Sequence, residues 1–416
     1  MSKVSFLAGG GANFIGKSFY RLKLGHIYLG IDWGGGFPDG EPEYDGPLDY
    51  LFFSHAHYDH MGMAPRVLRK FPGVQMFAHP ATIELAKVGW RQGLRGHEID
   101  RTPSPFSESE MRETEVAIKP LEEGKVKGLA NGIMVYPISA NHILGSLSFL
   151  ITYLGENYFF TNDICFHDRS LMAGAPKIKL DHCKFLNRES TYVSDIFDDR
   201  QKIEAELVAS TQKVLDNGGQ VLIAALSIDR TQDVYTILDR GGISPLYIDG
   251  SRRTSQIYQD YLGEDLFQYA GGFRNKQERR KFMQSGQPAV VIASSGMMYA
   301  ETLSAKWAEQ FIYRDNAAIF MVNYQDPCGQ GYALKNSTKG EFLLFNEQLF
   351  RRMCEVKSFN LSAHMDKTAG EELEERLNPE VVVYTHGEDA KIEQYLQEHK
   401  RGMTRVKSLV GKEIEL

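Results

Sequence analysis

Residues 48–60 run from an apolar strand directly into a cluster of metal-ligating side chains. Leu48 to Phe53 is apolar but for Asp49, and Ser54-His55-Ala56-His57-Tyr58-Asp59-His60 follows it. That run holds three imidazoles and one carboxylate in the six positions from His55 to His60. In an extended segment alternate side chains share a face, so His55 and His57 can reach one ion together. Asp59 and His60 lie where the chain turns out of the strand and can point at a second ion. Imidazole with carboxylate suits zinc, with manganese and iron as weaker alternatives. A loop that is merely rich in histidine has no need of H-x-H-x-D-H order at a strand end.

The chain has 416 residues, beyond the size at which one core stops growing, so two domains are expected. Its net charge of −7 excludes a protein coated in basic charge. It leaves room for a nucleic-acid enzyme, because a local basic groove around a cationic metal site suffices. Cys165, Cys183, Cys328 and Cys354 show no C-x-x-C spacing, which fits buried thiols in a reducing compartment. No basic-then-apolar leader and no long apolar stretch is present, so a cytoplasmic protein without a membrane span is expected.

The first part reads as strands with short turns: Val4 to Ala8, His26 to Asp32, Leu48 to Phe53 and Val74 to Ala78. A helix starts at Ala81, a polar stretch spans Gly93 to Ser109, and a second helix spans Glu108 to Val116. Strands return at Ile133 to Ser139, and Ser146 to Tyr153 forms a hairpin with Tyr158 to Thr161. After about residue 195 the rhythm changes. Asp199 to Asn217 is an amphipathic helix ended by Gly218-Gly219. Apolar runs such as Val221 to Leu226 and Ala289 to Ala293 then alternate with helices. That pattern predicts an α/β domain with a mostly parallel sheet.

Two further residues fit the metal run. His142 follows the strand Ile133 to Ser139, and Asp163 follows Tyr158 to Thr161. Each alone is weak, but a tetrahedral site needs further ligands from distant loops at strand ends. With these in place the chain resembles the metallo-β-lactamase superfamily, in its β-CASP nucleic-acid-processing branch. Gly30-Ile31-Asp32-Trp33-Gly34, His55 to His60, His142 and Asp163 resemble its four shared motifs. Arg188-Glu189-Ser190-Thr191-Tyr192, Leu361-Ser362-Ala363-His364 and Tyr384-Thr385-His386-Gly387-Glu388 resemble the branch's own motifs A, B and C. The closest subgroup is that of the cleavage and polyadenylation RNA endonucleases and their prokaryotic relatives.

The resemblance implies an αββα sandwich (residues 1–195 and 361–416) interrupted by an inserted α/β domain (196–360), with the active site in the cleft between them. It implies that His55, His57 and His142 hold one zinc, that Asp59, His60 and His386 hold another, and that Asp163 bridges them. Two such ions about 3.5–4 Å apart share a hydroxide as nucleophile. Attack on an RNA phosphodiester would leave a 5′-phosphate and a 3′-hydroxyl. His364 is the implied general acid, oriented and kept protonated by Glu189, so the catalytic set is Asp59, Asp163, Glu189 and His364. Asp32 is expected behind the ligands and Ser362 as a phosphate contact. Single-stranded RNA is the expected partner, because a histidine at motif C marks RNA-processing members; the family often forms homodimers, but no motif here decides the oligomeric state. The alternatives are a DNA nuclease, a small-molecule hydrolase and an inactive RNA-binding scaffold. An inactive relative would lose ligands, and here all are present.

Two departures from the family pattern stand out. Thr161-Asn162-Asp163 replaces Thr-Gly-Asp, and Tyr324-Gln325-Asp326-Pro327-Cys328-Gly329 replaces Gly-Tyr-Gln-x-x-Gly-Thr. There is also a decoy. Gly11 to Ser18 satisfies G-x-x-x-x-G-K-[ST], but alternation through Ser18 to Leu24 predicts a hairpin where a phosphate-binding loop would need a helix. The remaining histidines (His26, His79, His97, His167, His182 and His399) read as surface or structural. Arg252-Arg253 and Arg279-Arg280 read as solvated helix faces or RNA-backbone contacts.

Overall fold

A computed structural model describes residues 3–36, 40–263, 266–268, 270–399 and 402–416. The chain divides into two compact units. The first comprises residues 1–167, 174–196 and 363–416, and the second comprises 168–173 and 197–362.

The first unit contains two seven-stranded sheets. One runs in the order Glu413–Glu415, Val4–Gly10, Phe19–Leu24, Ile27–Ile31, Tyr50–Phe53, Gln75–Ala78, Ile118–Pro120. The other runs Thr404–Lys407, Val381–Thr385, Phe185–Glu189, Glu156–Phe160, Leu147–Tyr153, Met134–Ser139, Lys127–Gly128. Alternation decides what each face buries. Phe6, Leu22, Phe52 and Phe77 of the first sheet share one core with Phe149, Phe160, Phe185 and Val383 of the second. The residues between them point the other way. Phe159, Leu186, Val382 and Tyr384 pack under Leu373, Leu377, Ile392 and Tyr395 of helices Lys367–Leu377 and Asp389–Glu398. Helices Pro80–Asp100 and Glu108–Ala117 belong to the same unit.

One buried charge network fixes the strand that leads into Glu189. Arg188 is buried in the outer layer and pairs with Glu374, which also accepts from the Tyr384 hydroxyl and from Arg405. Gly370 leaves room for it, since a Cβ there would stand 1.9 Å from the Arg188 guanidinium. Removing one partner of a buried pair strands the other charge. Glu374→Ala is therefore expected to destabilise the unit by about 3–5 kcal/mol, read as a lower urea midpoint.

Two expectations meet the structure here. Residues 19–24 pair antiparallel with 27–31, so no helix follows Lys17 and no phosphate-binding loop forms. The polar stretch expected from Gly93 is instead helical as far as Asp100, where Arg101 ends the helix in the left-handed region (φ 55°). Gly93 and Gly96 sit on that helix with open space where a Cβ would be. Glycine lowers helix propensity but does not outweigh a packed apolar face elsewhere on the helix.

The second unit is built on five parallel strands in the order Leu246–Asp249, Ala289–Ala293, Gln220–Ala224, Ala317–Met321, Glu355–Ser358. Both faces are covered, which is why its central strands are continuous apolar runs. Val221 and Ile223 pack with Leu207, Val234 and Leu238 of helices Arg200–Asp216 and Arg230–Arg240. Leu222 and Ile319 pack on the opposite face with Trp307, Phe311 and Leu334. A hairpin, Phe342–Phe345 with Gln348–Arg351, adds Leu343 and Phe345 to that face.

Candidate metal centre

Every residue in the expected ligand set belongs to the first unit and sits at or just past a strand end. His55 and His57 follow Tyr50–Phe53, and one helical turn, Tyr58–Met61, carries Asp59 and His60. His142 follows Met134–Ser139, Asp163 follows Glu156–Phe160, and His386 follows Val381–Thr385. These side chains converge into two groups. His55, His57, His142 and Asp163 form one, and Asp59, His60 and His386 the other.

The spacings fit cations. Four ligands at zinc distance lie about 3.3–3.4 Å from one another at the corners of a tetrahedron. His57 Nδ1 is 3.1 Å from both His55 Nε2 and His142 Nε2. Asp163 Oδ2 is 3.6 Å from each of the latter. In the second group His386 Nε2 is 3.1 Å from His60 Nε2 and 3.1 Å from Asp59 Oδ2. Asp163 Oδ2 also stands 3.3 Å from His60 Nε2, so one carboxylate faces both groups. A ring nitrogen has one lone pair and cannot accept from two imidazoles at once. A cation among the nitrogens resolves the contact that hydrogen bonds alone do not.

The rings are held from behind. His60 Nδ1 lies 2.7 Å from Asp32 Oδ2, and Asp32 accepts from the Ser54 amide (2.7 Å) and hydroxyl (2.8 Å). His142 Nδ1 donates to the Ala363 carbonyl (2.7 Å), Ser54 Oγ lies 2.9 Å from His55 Nδ1, and Thr191 Oγ1 lies 3.1 Å from His386 Nδ1. Each contact leaves the ring's Nε2 toward the cluster, the arrangement that fixes a ligand's tautomer. Ser54 and Thr191 were not singled out in the sequence, although both stand inside quoted motifs. The only signal for them is adjacency to a ligand or to Glu189.

The backbone is unusual at the same places. Asp32, Asn141, Asn162 and His386 all have positive φ, between 48° and 65°. Asn162 at 48° explains how asparagine replaces the family glycine: it tolerates the left-handed region, and its Nδ2 donates to the Leu147 carbonyl (2.9 Å). His386 is pinned there by its amide, which donates to the Gly11 carbonyl (2.7 Å).

Burial and neighbouring charge set the protonation of the set. Burial, with His60 close by, pushes His55 well below the ordinary histidine value, and burial with His364 does the same to His142. Both are thus neutral, the ligand form. Burial opposes charge on Asp59 and Asp163 too. The facing histidines outweigh it and hold both carboxyls below their usual range.

Beside the cluster lies a second constellation. Glu189 is buried at the end of its strand, with Oε1 3.0 Å from His364 Nδ1 and Oε2 accepting from the Thr191 amide (3.2 Å). Burial would lower the His364 pKa, but Glu189 and Asp163 outweigh it and raise it. The His364 ring lies 4.5 Å from that of His142. Ser362 falls in the second unit, where its carbonyl accepts from Arg200 Nη1 (3.3 Å). Of the basic pairs, Arg279 is committed to Asp249 through two hydrogen bonds (2.6 and 2.7 Å), while Arg252 and Arg253 are exposed. No helix among the described residues is long and apolar enough to cross a membrane.

Comparison with known proteins matches residues 45–195 to the metallo-beta-lactamase superfamily and residues 232–334 to the Beta-Casp domain. The chain is 25% identical over 360 residues to the probable RNase MJ4 of Methanocaldococcus jannaschii, covering 83% of this chain and 82% of that one. It is 26% identical over 437 residues to the transcription termination factor FttA of Pyrococcus abyssi, covering 92% of this chain and 66% of the relative. It is 26% identical over 456 residues to the endoribonuclease YSH1 of Gibberella zeae, covering 93% of this chain and about half (53%) of the relative. A crystal structure of a protein of unknown function from Enterococcus faecalis V583 shares the fold over both whole chains (TM-score 0.66, 14% identity).

Proposed function

The chain belongs to the metallo-β-lactamase superfamily and carries a Beta-Casp domain, and from that premise we propose that it is a zinc-dependent ribonuclease acting on single-stranded RNA. Residues 196–360 would be its inserted domain. The observation that carries the reading is the pair of ligand groups joined at Asp163, with the His364–Glu189 pair beside them. The RNA-processing names of the relatives, and the histidine at position 386, support RNA over DNA.

His55, His57, His142 and Asp163 would hold one zinc, and Asp59, His60, His386 and Asp163 the other. Bound there, the ions supply Lewis acidity toward the phosphate and lower the pKa of water enough to give a nucleophile near neutral pH. The chain's own residues do the rest. Asp32, Ser54 and Thr191 hold the ligand rings in place before substrate arrives. Asp163, facing both groups, keeps them in register. His364 delivers the proton to the departing oxygen, and Glu189 orients that ring and favours its charged form. The products would be a 5′-phosphate and a 3′-hydroxyl.

The test incubates protein of measured zinc content with an internally labelled single-stranded RNA and with the DNA of matching sequence. Cleavage of RNA and not DNA, with about two zincs per chain, is the expected outcome. Cleavage of DNA alone would replace this reading with that of a DNA nuclease. Absence of bound metal after zinc is supplied would sink the dizinc assignment.

A further inference from the structure

In an open parallel sheet, ligands bind beyond the carboxyl ends of the strands, where the connections of two neighbouring strands leave on opposite faces. Gln220–Ala224 and Ala317–Met321 are such neighbours. The first leads into helix Arg230–Arg240, whose Val234 and Leu238 pack with Val221 and Ile223. The second leads into helix Gln330–Asn336, whose Leu334 packs on the other face with Leu222 and Ile319. The loops that leave their carboxyl ends begin with residues 225–227 and 322–325.

Side chains there bind three loops into one platform. Asn323 Oδ1 accepts from the Leu226 amide (3.1 Å), and Gln325 Nε2 donates to the Gly296 carbonyl (2.9 Å). Gly296 permits this closeness, since a Cβ on it would stand 2.4 Å from Asn323 Oδ1. Asn323 and Gln325 thus turn inward, and Tyr324 between them is 57% exposed. A large aromatic ring that is more than half exposed, on a loop held by hydrogen bonds at both neighbours, can present a face for stacking. The same carboxyl edge carries two exposed guanidinium groups, Arg252 and Arg253, after strand Leu246–Asp249, while Asp326 beside Tyr324 is engaged by the Tyr299 hydroxyl (2.7 Å). That strand lies three strand spacings away, about 14 Å.

We infer that Tyr324 stacks a base of single-stranded RNA at the carboxyl edge of the second unit's sheet, with the neighbouring phosphates toward Arg252 and Arg253. Aromatic platforms with flanking positive charge hold single strands without reading their sequence. This deepens the ribonuclease reading and rests on it for the identity of the ligand.

The experiment is fluorescence anisotropy of an end-labelled single-stranded RNA titrated with the full chain, zinc-loaded and in chelator. It compares wild type, Tyr324→Ala, Tyr324→Phe and Tyr324→Trp, all checked for equal thermal midpoints. Loss of one stacked base weakens affinity about 5- to 150-fold. Tyr324→Ala should show that loss, while Tyr324→Phe and Tyr324→Trp stay within about twofold because stacking uses the ring face. Equal affinity of Tyr324→Ala and wild type overturns the inference, as does a Phe variant as weak as the Ala one. Ring-dependent binding by a wild type that never cleaves would sink the ribonuclease reading alone.

Discussion

Asp163→Ala is expected to lower RNA cleavage by about a thousandfold or more and to cost the chain at least one bound metal ion. The reason is position. Oδ2 of this carboxylate stands within 3.6 Å of His55, His60 and His142, which belong to two different ligand groups. No other residue in the cluster faces both groups through one oxygen. Metal ions contribute several kcal/mol of transition-state stabilisation, and about 4 kcal/mol corresponds to a thousandfold in rate. The variant should fold, because removing Asp163 also removes a buried negative charge that only the histidines compensate. Elemental analysis of the purified protein beside its turnover decides the matter. Full metal content with near wild-type rate would show that Asp163 bridges nothing.

His364→Ala should leave metal content intact and lower kcat by about a hundred- to ten-thousandfold, the range for loss of a positioned proton donor. A more discriminating prediction concerns Glu189→Gln. A general acid must be protonated, so kcat falls as pH rises through its pKa. Burial works to lower the His364 pKa, and the Glu189 charge is the largest influence raising it. Neutralising Glu189 leaves burial less opposed, so the pKa falls. The alkaline limb of the kcat profile then moves to lower pH. The charge of bound metal is common to both proteins, so the direction holds with the metals in place. An unmoved alkaline limb would mean that His364 does not donate the proton.

Much of the candidate site is legible in the sequence because its densest part is contiguous. His55 to His60 occupy one strand end: alternation pairs His55 with His57, and the turn out of the strand sends Asp59 and His60 to the second group. His142, Asp163 and His386 are single residues on distant loops, readable only as members of an ordered motif set. The groups that orient them are harder to see. Ser54 and Thr191 are ordinary hydroxyl residues whose roles come from contacts across the fold, and the Ala363 carbonyl carries no side-chain signal. The positive φ at Asn162 is equally hidden, because asparagine adopts both ordinary and left-handed backbone. The polar stretch from Gly93 is continued to Asp100 by a helix whose buried face lies earlier, at Ala81, Leu85 and Trp90. Arg279 reads in the sequence as part of a solvated helix face or an RNA-backbone contact, and the fold brings Asp249 to it.

The order in which the first unit's parts occur along the chain has a consequence for its synthesis. Strand Val381–Thr385 lies inside one sheet, between Phe185–Glu189 and Thr404–Lys407, and Glu413–Glu415 closes the edge of the other beside Val4–Gly10. His364 and His386 arrive with the same late segment. Domains fold as units while the chain emerges at about 5–20 residues per second. A ribosome making this protein therefore delivers the whole five-stranded unit before the two-sheet unit can complete either sheet. Through that interval Asp59 and His60 are present but lack His386, the late member of their group. The second ligand group is therefore assembled only after the inserted unit has been made, when the segment carrying His386 arrives.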